Sequence, residues 1–389
     1  METIARQRKP LSGNPMNRCW AEIDLAALER NLRLIRKALP EGIRYVAVVK
    51  ADAYGHGIRP TAARLMQSGV DLFAVANVQE ASEIREMGSG WPILVLGPLL
   101  PEEDEALATH DLIATVSSRE ELDRFEAVAR ESGKTLPIQL KIDTGMGRLG
   151  VWWEEAPELL KDARSRKRLH LQGALTHFAN PSDEVFTQRQ RDLFHQILRA
   201  EGLLGKPEFL VHADNSSSLQ AMAGNDPCNA VRIGLLQFGV SPPAGTPLAN
   251  LKVEPVFSFH TRLALVKCLP AGVTVSYGRL HRLTRDSRIG LLSAGYGDAI
   301  PLTCGNRAEV LVRGKRHPII GRVTMDQTLI DLTDAPEDVN PGETVTLIGR
   351  QGEGIIELPE LAKHAETIPW DILCSVTKRV QRVYKTARE

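Results

Sequence analysis

The chain has 389 residues, 43% hydrophobic and 25% charged, which is enough apolar material for a sizeable core and more length than one small domain needs. Lys plus Arg and Asp plus Glu both number 48, so the net charge is zero and the excess of basic groups that a dominant nucleic-acid surface requires is missing. No apolar run approaches the length of a membrane span, residues 1–17 carry no apolar signal region, and the five cysteines (Cys19, Cys228, Cys268, Cys304, Cys374) have no metal-ligand or redox spacing; the expectation is a reduced cytoplasmic protein with no metal, no membrane and no nucleic-acid partner.

The first ~250 residues alternate short apolar runs with amphipathic stretches, the rhythm of repeated strand–helix units. Leu25, Leu28, Leu32, Ile35 and Leu39 recur at helical spacing after Asp24, a capping residue. Strands are expected at residues 45–49, 72–75, 93–96, 112–115, 136–142, 171–176, 209–212 and 230–233. Ser118 with Glu121 three residues on opens a helix with a capping box, its apolar face formed by Leu122, Phe125 and Val128. Residues 186–204 read as a long helix with Phe186, Leu193, Phe194 and Ile197 on one side. About eight strands separated by helices favour a closed parallel barrel over an open sheet.

Ser241-Pro-Pro-Ala-Gly-Thr-Pro247 reads as a linker. Beyond it come β-rich runs at 256–266, 289–292, 310–312, 319–323, 328–332 and 344–348, with a helix only at 358–364, which predicts a second, mainly antiparallel β domain. The expected fold is therefore α/β: an N-terminal (β/α)8 TIM-type barrel over residues 1–248 and a C-terminal β domain over 249–389, the first ~20 residues being placed to pack with the β domain. The last stretch, Lys378 to Arg388, is mildly basic and reads as a solvated helix or strand edge.

The most informative segment is Val48-Val-Lys-Ala-Asp-Ala-Tyr-Gly-His-Gly57. A strand ends in a lysine and a glycine-containing loop follows. In an eight-stranded barrel that end of the strand is the catalytic face. A lysine in a partly dry pocket has a lowered pKa and forms Schiff bases, and Tyr54, four residues on, can reach a phosphate.

This string closely resembles the cofactor-lysine signature of the alanine racemases. The resemblance continues in order through Lys141-Ile-Asp-Thr-Gly-Met-Gly-Arg148, Thr176-His-Phe-Ala179, His212-Ala-Asp-Asn-Ser216, Arg232-Ile-Gly234, Ser276-Tyr-Gly-Arg279, Gly295-Tyr-Gly-Asp298 and Gly321-Arg-Val-Thr-Met-Asp-Gln327. It implies a pyridoxal 5'-phosphate enzyme interconverting L- and D-alanine and supplying D-alanine for peptidoglycan. Lys50 would hold the cofactor and serve as the base on the D side. Tyr277 would be the base on the L side, delivered by the partner subunit of a homodimer. Two bases on opposite faces are what inversion of a carbon requires.

The same resemblance places Arg232 against the pyridine nitrogen, where an arginine has no proton to transfer. His177 would orient Tyr277 or Arg232. Tyr54, Ser216 and the N–H groups of Gly234 and Leu235 would hold the phosphate, with Asn215 beside them. Arg148 would contact cofactor and substrate carboxylate. Lys141 would be carbamylated to hold Arg148, although Lys141 and Asp143 share a strand face and an ion pair is the alternative. Met325 would offer its amide to the substrate carboxylate, with Asp326 supporting that loop, and Tyr296 would narrow the entrance.

This sequence departs from the family's pattern at four positions. Trp370 stands where a phosphate-reaching tyrosine is usual and would offer an indole N–H. Phe238 replaces a tyrosine, Thr324 a cysteine or serine, and Ala299 a glycine. Rival readings are a serine or broad-range racemase, a decarboxylase of the same barrel type, and a non-catalytic cofactor carrier. Ser276-Tyr-Gly speaks against the decarboxylase, and residues 251–389 speak against the carrier, which lacks a β domain.

Overall fold

The computed structural model describes residues 17–216, 218, 226–242, 245–246 and 248–386. Residues 1–16 at the polar N-terminus, and Pro243, Ala244 and Pro247 of the Pro-rich linker, lie outside the described residues. The chain divides into two compact units, one of residues 24–256 and one of residues 17–23 with 257–385. A division at residue 248, drawn from composition, comes too early. Residues 254–256 still belong to the first unit: Arg30 grips the Glu254 carboxylate at 2.8 and 2.7 Å, and Val256 N–H donates to Phe238 C=O.

In the first unit Asp24 caps the helix Leu25–Ala38 by accepting from Ala27 N–H at 2.7 Å. The buried stripe Leu25, Leu28, Leu32 and Ile35 follows from the 3.6-residue period. Eight parallel strands then succeed one another, the first seven separated by helices: Arg44–Val48, Leu72–Val75, Ile93–Val95, Ile113–Val116, Leu136–Asp143, Leu169–Leu175, Leu210–His212 and Ala230–Ile233. The last pairs with the first, Arg232 opposite Val46.

The remaining seam, between the seventh and eighth strands, is held by Asn229 N–H to Val211 C=O, Arg232 N–H to Asp214 C=O and a parallel bridge between Asn215 and Arg232. Alternate residues turn inward, so that Val46, Val48, Leu72, Ala74, Leu94, Ile113, Leu210 and Ala230 fill the interior. This is the (β/α)8 architecture expected from the sequence, with strand ends within about two residues of expectation. Leu72–Val75 and Ile93–Val95 show as apolar runs because both of their faces are covered, whereas Leu136–Asp143 and Ala230–Ile233 also carry Lys141 and Arg232.

The second unit is antiparallel. Phe257–Leu269 pairs with Ser287–Leu292 through its second half and with Thr344–Gln351 through its first. Glu309–Val312, Lys315–Ile320 and Thr328–Asp331 complete a ring of six strands. Cys19–Asp24 adds to the same long strand, Cys19 opposite Thr261. The sequence reading did not contain this strand or the helix Pro369–Ser375, while the edge strand Gln381–Lys385 is one of the two forms expected of the basic last stretch. No helix among the described residues is long and apolar enough to cross a membrane, and the cysteines form no disulfide.

Candidate active site

Lys50 lies two residues beyond the last residue of the first barrel strand, Val48, and is exposed. The next four residues do not continue as an ordinary helix. Ala51, Asp52, Ala53 and Tyr54 all have φ of 53–54°, a left-handed helical turn built without glycine, and Gly55 and Gly57 close it at φ 76° and 91°. Left-handed backbone costs a side-chain-bearing residue roughly 1–2 kcal/mol, so outside contacts must hold it. His56 is buried and its Nδ1 lies 2.9 Å from Ala53 C=O and 3.0 Å from Tyr54 C=O. Carbonyls only accept, so Nδ1 carries the proton. The His56 ring stacks on Phe238 at 4.2 Å, and Tyr54 tilts against the same ring at 5.7 Å. Asp52 Oδ1 accepts from Ile58 N–H at 2.7 Å, launching the next helix.

Gly234 sits over Tyr54: a Cβ added there would lie 2.8 Å from the Tyr54 hydroxyl. Its N–H donates to Ser216 Oγ at 3.1 Å, and Leu235 opens a short 3-10 turn whose first N–H groups have no intrahelical acceptor. Asn215 N–H donates to Ser218 Oγ. The arrangement gathers the Tyr54 and Ser216 hydroxyls with glycine-spaced backbone at one end of the mouth. It is made of neutral donors, and any side chain at 234 would fill it.

Arg232 is buried on the eighth strand. Nη1 donates to His212 C=O at 2.8 Å and to His212 Nδ1 at 2.8 Å. Nη2 donates to Ala213 C=O at 2.7 Å, to Thr176 C=O at 2.8 Å and to His177 Nδ1 at 3.3 Å. Nε makes no hydrogen bond among the described residues. Burial lowers its pKa to about 10, which still leaves the guanidinium charged near neutral pH. Burial and the neighbouring Arg232, Lys141, Arg148 and Lys50 charges push His177 down to about 3, so its ring is neutral.

Lys141 and Arg148 line one narrow cleft with Asp143, Met146, Leu149 and His177. Burial, then the Arg232 and Arg148 charges, lower Lys141 to about 8. The alternative Lys141–Asp143 ion pair does not form. Asp143 Oδ1 accepts from Gly145 and Met146 N–H at 2.9 and 2.8 Å, and Oδ2 accepts from Arg148 N–H at 3.0 Å. Its carboxylate shapes the loop that carries Arg148.

In the second unit Tyr277 is 71% exposed, on a 3-10 turn that follows Ser276 at φ 61°. Ser276 Oγ donates to Arg322 C=O at 2.6 Å and so pins the turn. Tyr296 and Met325 are exposed on interlocked loops: Tyr296 N–H donates to Thr324 C=O and Gly297 N–H to Met325 C=O, both at 2.9 Å. The Met325 N–H meets no acceptor among the described residues. Asp326 and Asp298 share Arg379 at 2.8 and 3.2 Å. Trp370 is half-exposed at the start of its helix.

Several working residues escaped the sequence reading. His212 lies in one of the ordered motifs, and Arg232 donates to its Nδ1. Gln139 Oε1 lies 2.7 Å from His212 Nε2. Gln190 reaches back to hold the segment after the sixth strand, donating to Thr144 Oγ1 and His177 C=O and accepting from Ala179 N–H. Arg191 binds Asp214 and Asp226 beneath the Asn215 loop. His195, Asp226 and Cys228 are close enough to hold a metal ion, but Asp226 already accepts from Arg191 and Cys228 N–H, and Cys228 Sγ lies 3.6 Å from His195 Nε2.

Two family models match this chain, described as alanine racemase N-terminal domain over residues 23–242 and alanine racemase C-terminal domain over residues 256–384. The alanine racemase of Halothermothrix orenii is 38% identical over 370 residues, covering 94% of this chain and 96% of that one. A solved alanine racemase from Bacillus anthracis with bound L-Ala-P superposes with a TM-score of 0.85 at 34% identity, over 95% of each chain. Another, from Bartonella henselae with covalently bound pyridoxal phosphate, has a TM-score of 0.84 at 27% identity, covering 95% of this chain and 100% of that one.

Proposed function

The chain belongs to the alanine racemase family, isomerases that depend on pyridoxal 5'-phosphate and interconvert L- and D-alanine, and we propose that Lys50 and Tyr277 are the two bases of its site. Arg232 is the observation that carries this reading. Both of its Nη atoms are spent on protein acceptors, which leaves Nε as the donor for a ring nitrogen.

The residues fit the cofactor. Lys50 holds it covalently. Tyr54 and Ser216, with the backbone at Gly234 and Leu235 and Asn215 alongside, take the phosphate in a pocket that only glycine at 234 leaves open. By the family resemblance Trp370 would add its indole N–H to that hold. When bound, pyridoxal phosphate supplies the electron sink that makes the α-proton removable.

Arg232 offers the ring a hydrogen bond and no transferable proton, which keeps the sink weak and limits protonation at the wrong carbon. His177, neutral and fixed by Arg232, orients Arg232 and Tyr277. Lys141, with an amine lowered to about 8, would add as its neutral form to carbon dioxide and release one proton to solvent, leaving a carbamate anion beside Arg148. Arg148 and the free Met325 N–H hold the substrate carboxylate, and Tyr296 narrows the entrance. Lys50 moves the proton on the D face and Tyr277 on the L face.

Tyr277 is exposed in one chain and is delivered to the partner's Lys50, so the working unit is a homodimer. Its place is the cytoplasm and its product feeds peptidoglycan. Borohydride reduction of the loaded protein followed by peptide mapping tests the assignment: the label belongs on Lys50, and a label on another lysine overturns it.

A further inference from the structure

The residue after Lys50 is Ala51, and its N–H donates to Glu80 Oε1 at 2.6 Å. The other oxygen, Oε2, accepts from Ala76 N–H at 2.8 Å. Ala76 follows the second barrel strand, so one carboxylate ties together the C-terminal ends of two neighbouring strands. Glu80 is itself held. It is the third residue of the helix Val78–Arg85, and Asn77 caps that helix by accepting from Glu80 N–H at 2.9 Å.

Glu121 occupies the equivalent place in its own helix, four residues after Ser117. Its carboxylate accepts from Ser117 N–H at 2.5 Å, and Ser118 caps Glu121 N–H in turn. Local capping therefore needs only one of the two carboxylate oxygens. The second oxygen of Glu80 is what differs, and it is aimed at the turn that carries Lys50.

That turn is four consecutive left-handed residues without glycine. Such backbone persists only where its surroundings over-determine it. Among the described residues, the side chains of Asp52, His56 and Glu80 bond in this segment. Asp52 and His56 lie within the segment itself. Glu80 alone of the three reaches in from another strand–helix unit, and it acts on the first peptide after the lysine.

We propose that Glu80 is a positioning residue for Lys50: its carboxylate fixes the direction in which Lys50 leaves the barrel strand. This rests on Lys50 being the cofactor lysine. Glu80 touches neither cofactor nor substrate; it sets how readily Lys50 forms its covalent link and how it titrates as a base. Glutamine fills the same space but turns an NH2 group toward one of the two N–H donors, so one of these bonds is lost.

The test uses full-length Glu80→Gln and Glu80→Ala proteins beside wild type and Lys50→Ala. Four quantities are measured: the dissociation constant for pyridoxal phosphate by equilibrium dialysis, the pH midpoint of the visible absorbance of the covalent link, kcat and KM separately, and the urea midpoint without cofactor. Loss of one charge-assisted bond predicts a dissociation constant raised about tenfold to a hundredfold in Glu80→Gln. The pH midpoint should move, kcat should fall more than KM rises, and the urea midpoint should stay near wild type.

Unchanged affinity and pH midpoint in both Glu80 variants overturn the proposal. So does a loss that merely tracks a lowered urea midpoint, since that marks an ordinary cap. If Lys50→Ala retains a borohydride-reducible cofactor link, the lysine assignment itself has failed, independently of the Glu80 result.

Discussion

Arg232 Nη1 donates to His212 Nδ1 across 2.8 Å, and because a guanidinium has only donors, this contact leaves the His212 proton on Nε2. That proton faces Gln139 Oε1 at 2.7 Å. A line of neutral partners thus runs from the barrel interior to the Arg232 guanidinium. Burial holds His212 well below its usual pKa, in keeping with a ring that never charges.

Replacing Arg232 by lysine keeps the charge and loses the fork. Three N–H donors on one ammonium cannot reach the carbonyls of Thr176, His212 and Ala213 together with the two histidine nitrogens. An orphaned buried acceptor costs about 1–3 kcal/mol. Arg232→Lys is expected to lose at least ~3 kcal/mol of stability in urea unfolding and more than tenfold in racemisation.

Gly234→Ala tests the phosphate pocket. The new methyl group would stand 2.8 Å from Tyr54 Oη and must push the ring aside. The fold should survive within about 1–2 kcal/mol, while pyridoxal phosphate affinity falls at least about tenfold. Equilibrium dialysis with parallel urea unfolding separates the two effects.

Stability should fall on the acid side. His177 titrates near 3 in the folded chain and near 6.5 when unfolded. Above about 6.5 it is neutral in both states and contributes nothing to pH dependence. Between about 6.5 and about 3 only the unfolded chain takes the proton, so stability drops by up to ~1.4 kcal/mol per pH unit for this group. Urea midpoints at pH 7 and pH 5 check the drop, and His177→Gln should make it shallower.

Lys141 gives the opposite window. Its amine titrates at about 8 folded and near 10.4 unfolded, so its penalty is constant below 8 and fades as pH rises from about 8 to about 10.4. The neutral amine available near pH 8 should take up 13C-labelled carbon dioxide. A carbamate resonance is expected that grows from pH 7 to 8 and is missing from Lys141→Gln.

The barrel was legible because its strands are buried on both faces, and Leu72–Val75 and Ile93–Val95 show as unbroken apolar runs. The strand Cys19–Asp24 was not. Its six residues mix Glu22 and Asp24 with apolar neighbours, and it becomes a strand only by pairing with Phe257–Leu269. The site's residue types were legible from ordered motifs, but their linkages were not. Gln139 meets His212 across 73 positions, a distance no local pattern encodes. The loop expected after Lys50 is a left-handed turn over residues 51–54, a course held by Glu80, His56 and the flanking glycines that no local pattern encodes. Lys141 and Asp143 suggested an ion pair by spacing, yet three loop N–H groups claim the carboxylate first.

The measurement that bears most directly on the two-base site is a heterodimer of Lys50→Ala and Tyr277→Phe chains, co-expressed with different affinity tags and purified through both. In a two-fold dimer with each site built from Lys50 of one chain and Tyr277 of the other, one site is wholly wild-type and one doubly altered. The expected result is about half of wild-type racemisation per dimer, from two parent homodimers that are nearly inactive. A heterodimer as inactive as its parents would contradict the shared site.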